Sequence, residues 1–248
     1  MKILVAPWGN PFGWKEVKYV YNGKTKKSKD PLPLIKEVEN PKKVIIVSVD
    51  TLADDSVNSI KNLSYSEIKK LSENLVYNFC KNDLKFVPEK IIISYGFGEF
   101  NKTKFLGNAM DFYYNVFKEL CLCFTEMEKK EEEIEVIVDA THGINYTTIL
   151  TYRALKEILE IFAYFLEVKL KVLNSDPLIG REAKVEKLNI NIIEENKIFP
   201  KILIYKNEKR PIEPYSFIEN EKEKKDLGKK ISDFLKEIPW NKEEKEKI

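Results

Sequence analysis

The chain has 248 residues and a mass of 29.1 kDa, with 42 Lys and Arg residues against 40 Asp and Glu residues, so its formal net charge is only +2. A charge this small excludes a general attraction to nucleic acid or membranes, so a polyanionic ligand requires a local site. No apolar run approaches the roughly 18 residues that a membrane span needs, so we expect a soluble protein.

The three cysteines, Cys80, Cys121 and Cys123, form no CxxC pair and are accompanied by a single histidine. This argues against both a zinc site and a disulfide framework, and it favours a reducing, cytoplasmic environment. We therefore predict no bound metal.

Five short apolar runs predict the strands of a mainly parallel sheet in an α/β fold. They span residues 3–6, 44–49, 91–94, 134–138 and 168–173. The first four are almost continuously apolar, as in strands that are buried on both faces, whereas the last alternates and indicates a more exposed edge strand. The order of elements predicts a Rossmann-like sheet flanked by helices.

Helical patterns separate most of the predicted strands. Asp30-Pro31 opens a short helix that ends before Pro41, and further helices are predicted over residues 66–81, 104–130 and about 147–166. The exception is residues 15–28, where Asn22-Gly23 predicts a β-hairpin inserted after the first strand.

The pattern changes from about Arg181 onward. Residues 185–193 and 202–205 are predicted to pair as strands, and a charged helix is predicted near residues 220–237. We therefore expect one domain over residues 1–205 and a small C-terminal linker or helical appendage over residues 206–248.

The loops after the five predicted strands are expected to lie on one edge of the sheet. In an open parallel sheet, ligands bind beyond the carboxyl ends of the strands, where helix N-termini and free N–H groups converge. These loops are residues 8–14, 50–55, 95–100, 139–145 and 174–177. We predict that they form a ligand site.

The fourth of these loops has the most chemical content. Gly143 permits a tight turn, and Thr141, Asn145 and the N–H groups at the start of the next helix suit a phosphate or a ribose hydroxyl. Asp139 is interpreted as structural, because its charge would oppose a phosphate and its oxygens can accept N–H groups of the same loop.

His142, the only histidine, has two interpretations that the sequence leaves open. It is either a solvated or capping loop residue, or a catalytic one. A paired-histidine acid/base site within one chain is excluded, but a two-fold dimer would bring two copies of His142 to one axis.

Aromatic residues of these loops also have two interpretations. One of Trp8 and Trp14 is expected to cap the core and the other to present a face to a base. Tyr95 and Phe97, beside Gly96, belong either to the edge of the core or to a base-stacking surface.

A polyanionic ligand requires that the acidic side chains near this edge cap helices or face away. These side chains are Asp50, Asp54, Asp55, Glu99 and Asp176. No GxGxxG follows the first strand, and neither a P-loop lysine motif nor a GxSxG elbow occurs, which argues against a nicotinamide or ATP enzyme and predicts no cofactor.

Five short motifs lie in the hairpin and the loops: Trp8-Gly-Asn-Pro with Trp14-Lys-Glu-Val, Asn22-Gly23, Asp50-Thr51-Leu52, Asp139-Ala-Thr-His-Gly143 and Asn174-Ser-Asp-Pro177. Together they resemble the CRISPR-associated Rossmann-fold (CARF) sensor domain, in the DxTHG group of archaeal type III CRISPR accessory ribonucleases. The resemblance covers about residues 1–205, and the Asp-x-Thr-His-Gly stretch is its most specific part.

The resemblance implies a homodimer that binds a cyclic oligoadenylate, usually cyclic tetra-adenylate, in a pocket across its two-fold axis. The implied ligand contacts come from Trp8, Gly9, Asn10, Trp14, Thr51, Leu52, Gly96, Phe97, Thr141, His142, Gly143 and Asn145. Whether the ring holds four or six adenylates depends on the width of the pocket, so ring size stays open.

Some sensor domains of this kind also cleave their ligand without a metal, by attack of a ribose 2′-hydroxyl on the neighbouring phosphodiester. Our hypothesis for this reaction gives three residues a role. His142 polarises the phosphate or assists proton transfer, Asn10 holds the 2′-hydroxyl and Trp14 fixes the base.

Ribonucleases of this family carry a C-terminal HEPN domain with an Arg-x4-6-His site, and no histidine follows His142 here, so we expect no such site in this sequence. The first hypothesis is a receptor. The alternatives are a dedicated ring nuclease and a DNA-binding regulator. Against direct DNA binding, the predicted helix at residues 220–237 mixes lysines with acids and lacks a basic recognition face.

Overall fold

The computed structural model describes residues 1–55, 63–100, 103–125, 132–177 and 187–200, together with Lys222, Lys225 and Lys229. The chain divides into two units, Met1–Phe199 and Pro200–Ile248. In the second unit the three described lysines are helical. The remainder of the helix predicted at residues 220–237 and the strand predicted at 202–205 lie outside the described residues.

Strands and helices alternate through the first unit. Its strands are β1 Lys2–Pro7, β2 Val17–Tyr21, β3 Lys24–Ser28, β4 Lys43–Val49, β5 Lys90–Ser94, β6 Phe97–Phe100, β7 Thr103–Leu106, β8 Glu133–Asp139, β9 Glu167–Ser175 and β10 Leu188–Ile198. Its helices are α1 Leu32–Glu39, α2 Tyr65–Asn82, α3 Ala109–Thr125 and α4 Asn145–Phe162. None of the helices described is long and apolar enough to cross a membrane.

The main sheet has eight strands in the order β3-β2-β10-β9-β8-β1-β4-β5. The five strands from β9 to β5 are mutually parallel, which confirms the predicted Rossmann-like, mainly parallel sheet. From β1 the chain proceeds to β4 and β5 on one side and then to β8 and β9 on the other. The strand order therefore reverses between β1 and β8.

Side chains of the central strands alternate between two apolar cores, because successive residues of a strand point to opposite faces. On β1, Ile3 and Val5 face the core formed with α3 and α4. Leu4 and Ala6 face the core formed with α1 and α2. Burial on both faces explains why these strands are nearly continuous apolar runs in the sequence.

The predicted hairpin is confirmed as β2 and β3. Asn22 and Gly23 both have positive φ angles, 46° and 75°, as a two-residue type I′ turn requires. The hairpin joins the main sheet, since β2 pairs with β10 in parallel. Tyr19 and Tyr21 of β2 are buried in the core beside α1 and α2.

One expectation about the far side of the sheet was wrong. The strand over residues 168–173, β9, lies between β8 and β10 and is not an edge. Its alternation arises because Lys169 and Lys171 point to ion pairs rather than to an apolar core. The predicted strand at 185–193 corresponds to β10, which pairs with β9 in antiparallel register and with β2 in parallel register; its predicted pairing with residues 202–205 lies outside the described residues.

The helix predicted from residue 104 was wrong at its start. Residues 97–106 form the two-stranded hairpin of β6 and β7, in which the ring of Phe100 contacts that of Phe105. The helix α3 begins only after Asn108, whose side-chain oxygen accepts the N–H groups of Met110 and Asp111 at 2.8 and 3.1 Å. Residues 126–130 of the prediction lie outside the described ranges.

A buried ion-pair cluster ties β9 to α1. The Nζ atom of Lys171 lies 3.2–3.4 Å from carboxylate oxygens of Glu39, Glu135 and Glu195, and the Lys171 side chain is only 12% exposed. We expect Lys171→Met to lower the free energy of unfolding by about 3–5 kcal/mol, because the carboxylate of Glu39 stays buried but loses the positive charge of Lys171.

The matched control for this substitution is Lys169→Met, two residues away on the same strand. Lys169 pairs with Glu133 at 2.7 Å, but its side chain is 47% exposed, so its loss should leave stability almost unchanged. Urea unfolding of both variants measures the difference. Equal stability of the two variants would contradict a stabilising role for the cluster.

Candidate ligand-binding site

The loops after β1 and β8 meet where the strand order reverses. The N–H of Gly9 donates to the carbonyl oxygen of His142 at 2.9 Å. A Cβ atom at Gly9 would lie 2.8 Å from Cγ1 of Ile144, so only glycine allows this close approach of the two loops. Open α/β sheets bind ligands at this position.

Asp139 organises the loop that carries the histidine. Its Oδ1 atom accepts the N–H of Thr141 at 3.1 Å and the hydroxyl of Thr141 at 2.6 Å. The Thr141 hydroxyl in turn accepts the N–H of Ser175 at 3.1 Å. The interpretation of Asp139 as structural is confirmed, and Thr141 links the loops after β8 and β9.

A second buried carboxyl group lies near Asp139. Burial raises the pKa of Asp139 to about 6, and burial together with the charge of Asp139 raises the pKa of Asp30 well above its usual range. Each carboxyl has one oxygen without a hydrogen-bond partner among the described residues. Like charges this deeply buried oppose each other, so the pair binds a proton more tightly than two exposed carboxyl groups do.

His142 packs between a tryptophan and a tyrosine. Its ring stacks on Trp14, with ring centroids 4.0 Å apart and an interplanar angle of 19°. Its Nε2 atom lies 3.1 Å from the hydroxyl oxygen of Tyr19. Burial lowers the pKa of His142 to about 4, so the ring is neutral at pH 7. His142 is therefore not a solvated loop residue.

The two tryptophans differ in burial. Trp8 is 1% exposed and contacts Phe79 in the core, whereas Trp14 is partly exposed. Leu52 is 2% exposed in the same core as Trp8. The side chains of Trp8 and Leu52 therefore belong to the core rather than to an open surface.

A cavity of about 740 Å³ opens beside His142, a volume within the range of small-molecule sites. Its lining comes from the loops after β1, β8 and β9 and from the hairpin. The lining residues are Gly13, Trp14, Lys15, Val17, Tyr19, Thr141, His142, Asn174, Ser175, Asp176, Pro177 and Leu188.

A second cavity, of about 900 Å³, lies beyond β4 and β5, and Asp50, Tyr65, Tyr95 and Gly96 are in its lining. The N–H of Gly96 donates to Oδ1 of Asp50 at 2.7 Å. The rings of Tyr65 and Tyr95 stack with centroids 5.4 Å apart, and both are partly exposed. Tyr95 thus belongs to a stacked aromatic pair at the cavity.

The carboxyl of Asp50 makes stability depend on pH. Burial raises its pKa from 3.8 to about 6, so the folded state binds the proton more tightly than the unfolded state. The wild type should therefore lose stability relative to Asp50→Asn as pH rises from 4 to 6, by about 3 kcal/mol at most. Urea unfolding at several pH values measures this change.

Asp111→Asn, which removes an exposed carboxyl from the lining of the same cavity, controls for the loss of one negative charge there. A stability difference between wild type and Asp50→Asn that stays constant over this pH range, or moves in the opposite direction, would show that burial does not raise the pKa of Asp50.

Comparison with known proteins decides the family. A family model described as "CRISPR system endoribonuclease Csx1, CARF domain" matches residues 3–177. The chain belongs to the Csx1 CARF-domain family. A CRISPR system endoribonuclease Csx1 from Methanocaldococcus jannaschii is 37% identical over 251 residues, covering 99% of this chain and 50% of that relative. The chain thus spans about half the length of this curated relative.

In this CARF domain the residues predicted to bind ligand lie at several places along the sheet edge that the loops after the parallel strands form. Trp14, Thr141 and His142 line the first cavity and Gly96 lines the second. Phe97 instead packs on Tyr146 at the start of α4, with ring centroids 4.5 Å apart.

The other predicted residues lie at loop junctions or in solvent. Gly9 and Gly143 sit where the loops after β1 and β8 meet, and Thr51 packs against Gly96. Asn10 is exposed, and its side-chain oxygen accepts the N–H of Phe12 at 3.0 Å. Asn145 is exposed at the first position of α4.

We expected the acidic side chains near this edge of the sheet to cap helices or to face away from the ligand site. This expectation was wrong for two of them, since Asp50 lines the second cavity and Asp176 lines the first. Asp176 accepts the N–H and side-chain amide of Asn189 and the side-chain amide of Asn191, at 2.7–2.9 Å. These bonds lower the pKa of Asp176, so a negative charge stands at the first cavity, which Lys15 also lines.

The sequence-based set missed Tyr19, which the hairpin brings to His142. The alternation of β2 indicates that Tyr19 and Tyr21 share one face, but no local pattern indicates a partner 123 residues away. Lys15 also lines the first cavity. The sequence-based set missed it because it lies just after the loop of residues 8–14.

Proposed function

We propose that this CARF domain acts in the cytoplasm as a homodimeric receptor for a cyclic oligoadenylate of type III CRISPR defence, with cyclic tetra-adenylate as the first candidate. The observation that carries the proposal is the cavity at His142. Three loops and the hairpin converge there, at the point where the strand order reverses, in a chain of the Csx1 CARF-domain family.

The chemistry of the cavity suits a nucleotide. Trp14 offers aromatic surface to an adenine, and base-aromatic stacking contributes about 1–3 kcal/mol per base. Lys15 supplies a positive charge for a phosphate. The charge of Asp176 opposes a phosphate close to it, so the phosphates are expected nearer to Lys15 and His142.

The homodimer is part of this proposal because a ring with four-fold symmetry fits a protein two-fold axis. Next to the site, α4 and the residue before it expose two isoleucines, Ile144 at 41% and Ile149 at 64%. In the proposed homodimer, the second copy of the chain covers these two side chains.

Native mass spectrometry tests the receptor directly. The purified protein is mixed with cyclic tetra-adenylate without metal, and one ligand per dimer is expected. Cyclic hexa-adenylate, measured in parallel, determines ring size. If neither ring binds at concentrations tenfold above the protein, the receptor function is wrong.

Ring cleavage is the second candidate, and the neutral His142 in a cavity favours it. The 2′-hydroxyl oxygen of one adenosine attacks the adjacent phosphorus, the bond to the 5′-oxygen breaks, and the products are a 2′,3′-cyclic phosphate and a 5′-hydroxyl. The same mass spectra, followed for hours at elevated temperature, reveal the linear product. Many turnovers under excess ligand would identify a dedicated ring nuclease, whereas an intact ring would identify a receptor alone.

A further inference from the structure

The contact between Tyr19 and His142 determines which nitrogen of the histidine carries a proton. The hydroxyl of Tyr19 lies 3.1 Å from Nε2 of His142, and the Tyr19 residue is 1% exposed. Tyr19 comes from β2 of the hairpin, and His142 from the loop after β8. The hairpin is thus part of the site rather than a distant addition to the sheet.

A buried hydroxyl group needs an acceptor for its hydrogen. Among the residues that the structure describes, the only hydrogen-bond partner of the Tyr19 hydroxyl is Nε2 of His142. If Nε2 carried the imidazole proton, it would donate to the Tyr19 oxygen, and the hydroxyl hydrogen would have no acceptor among the described residues. The Tyr19 hydroxyl therefore donates to Nε2, and the single proton of the neutral ring is on Nδ1.

The surroundings keep this arrangement in place. Burial raises the pKa of Tyr19, and the carboxyl groups of Asp30 and Asp139 raise it further, so Tyr19 remains a donor. The stacked ring of Trp14 restricts rotation of the imidazole. Within the described part of the chain, Nδ1 makes no hydrogen bond to protein and is the nitrogen available to a ligand.

We propose that Tyr19 is a positioning residue that holds His142 as the neutral tautomer protonated on Nδ1, and that this Nδ1–H donates to a phosphate oxygen of the ligand. The second half rests on the proposed receptor function; the first half does not. His142 is then a fixed, uncharged hydrogen-bond donor to the phosphate rather than an imidazolium acid.

The single histidine of the chain makes the tautomer measurable without ambiguity. The ¹⁵N spectrum of the ligand-free 248-residue chain, labelled at histidine, is recorded at pH 7. Wild type should show a pyridine-like Nε2 and a pyrrole-like Nδ1. In Tyr19→Phe the Nε2 shift should move toward the pyrrole-like range, because nothing holds that nitrogen as an acceptor.

Tyr21→Phe is the matched control. It removes a hydroxyl from the same buried face of β2, but that hydroxyl donates to Glu39 at 2.6 Å and not to the histidine. Its ¹⁵N spectrum should match that of wild type. A wild-type spectrum with the proton on Nε2, or the same spectrum for wild type and Tyr19→Phe, would overturn the role of Tyr19.

Addition of cyclic tetra-adenylate then tests the phosphate contact. The Nδ1–H resonance of wild type should shift on binding, and Tyr19→Phe should bind about tenfold more weakly than Tyr21→Phe. Binding without a change at Nδ1 would overturn the phosphate contact. Absence of binding by wild type would overturn the receptor function, while the tautomer measurement in the ligand-free protein would still stand.

Discussion

A Gly143→Ala variant is expected to be strongly destabilised and to lose cyclic oligoadenylate binding. A Cβ atom at this position would overlap Oγ1 of Thr148 and lie 3.2 Å from the carbonyl oxygen of Pro7. Rotation of the Thr148 side chain can remove the first overlap, but Cβ of Thr148, 3.1 Å away in the first turn of α4, and the Pro7 carbonyl at the end of β1 do not move without shifting an element of the core. Overpacking of this kind costs about 1–3 kcal/mol and occasionally more.

Gly13→Ala provides the comparison for Gly143→Ala. A Cβ atom at Gly13 would have no atom within 4 Å, so this variant should be as stable as wild type or slightly more stable. Urea unfolding of both variants, followed by ligand titration of each, measures the two effects. If Gly143→Ala were as stable as Gly13→Ala, the loops after β1 and β8 would accommodate a Cβ atom at little cost. This result would contradict the predicted destabilisation.

Replacing His142 by alanine is expected to slow ring cleavage about 10²–10³-fold, as the loss of one positioned hydrogen-bond donor does in other enzymes. Binding should fall much less, because Trp14, Lys15 and the loop backbones remain in the cavity. Single-turnover cleavage of cyclic tetra-adenylate and a separate binding titration measure the two effects. Cleavage at the wild-type rate would remove His142 from the reaction.

Two further substitutions identify the nitrogen that His142 uses. Asparagine places its amide nitrogen near the position of Nδ1, whereas glutamine reaches toward the position of Nε2. If Nδ1–H contacts the phosphate, His142→Asn should retain more cleavage activity than either His142→Gln or His142→Ala. The reverse order for asparagine and glutamine would assign the phosphate contact to Nε2 and exclude the Tyr19 interaction in the bound state.

Local patterns in the sequence determined the fold class and the loop that carries the site. Apolar runs such as residues 44–49 predicted central strands because burial on both faces favours apolar residues at nearly every position. Asn22-Gly23 predicted the hairpin because both residues adopt positive φ angles at little cost. Asp139 was recognised as structural since its hydrogen-bond partners lie two residues away. Each of these features depends on neighbours in the chain.

Only the tertiary structure decided features that depend on distant residues. The antiparallel pairing of β10 with β9 converts a predicted edge strand into an interior one. The burial of Trp8 and Leu52 and the exposure of Asp176 at a cavity follow from how loops pack. Tyr19 reaches His142 because β2 joins the main sheet through β10, and burial there lowers the pKa of the histidine. Desolvation and long-range pairing arise only when separate segments come together, so no local pattern records them.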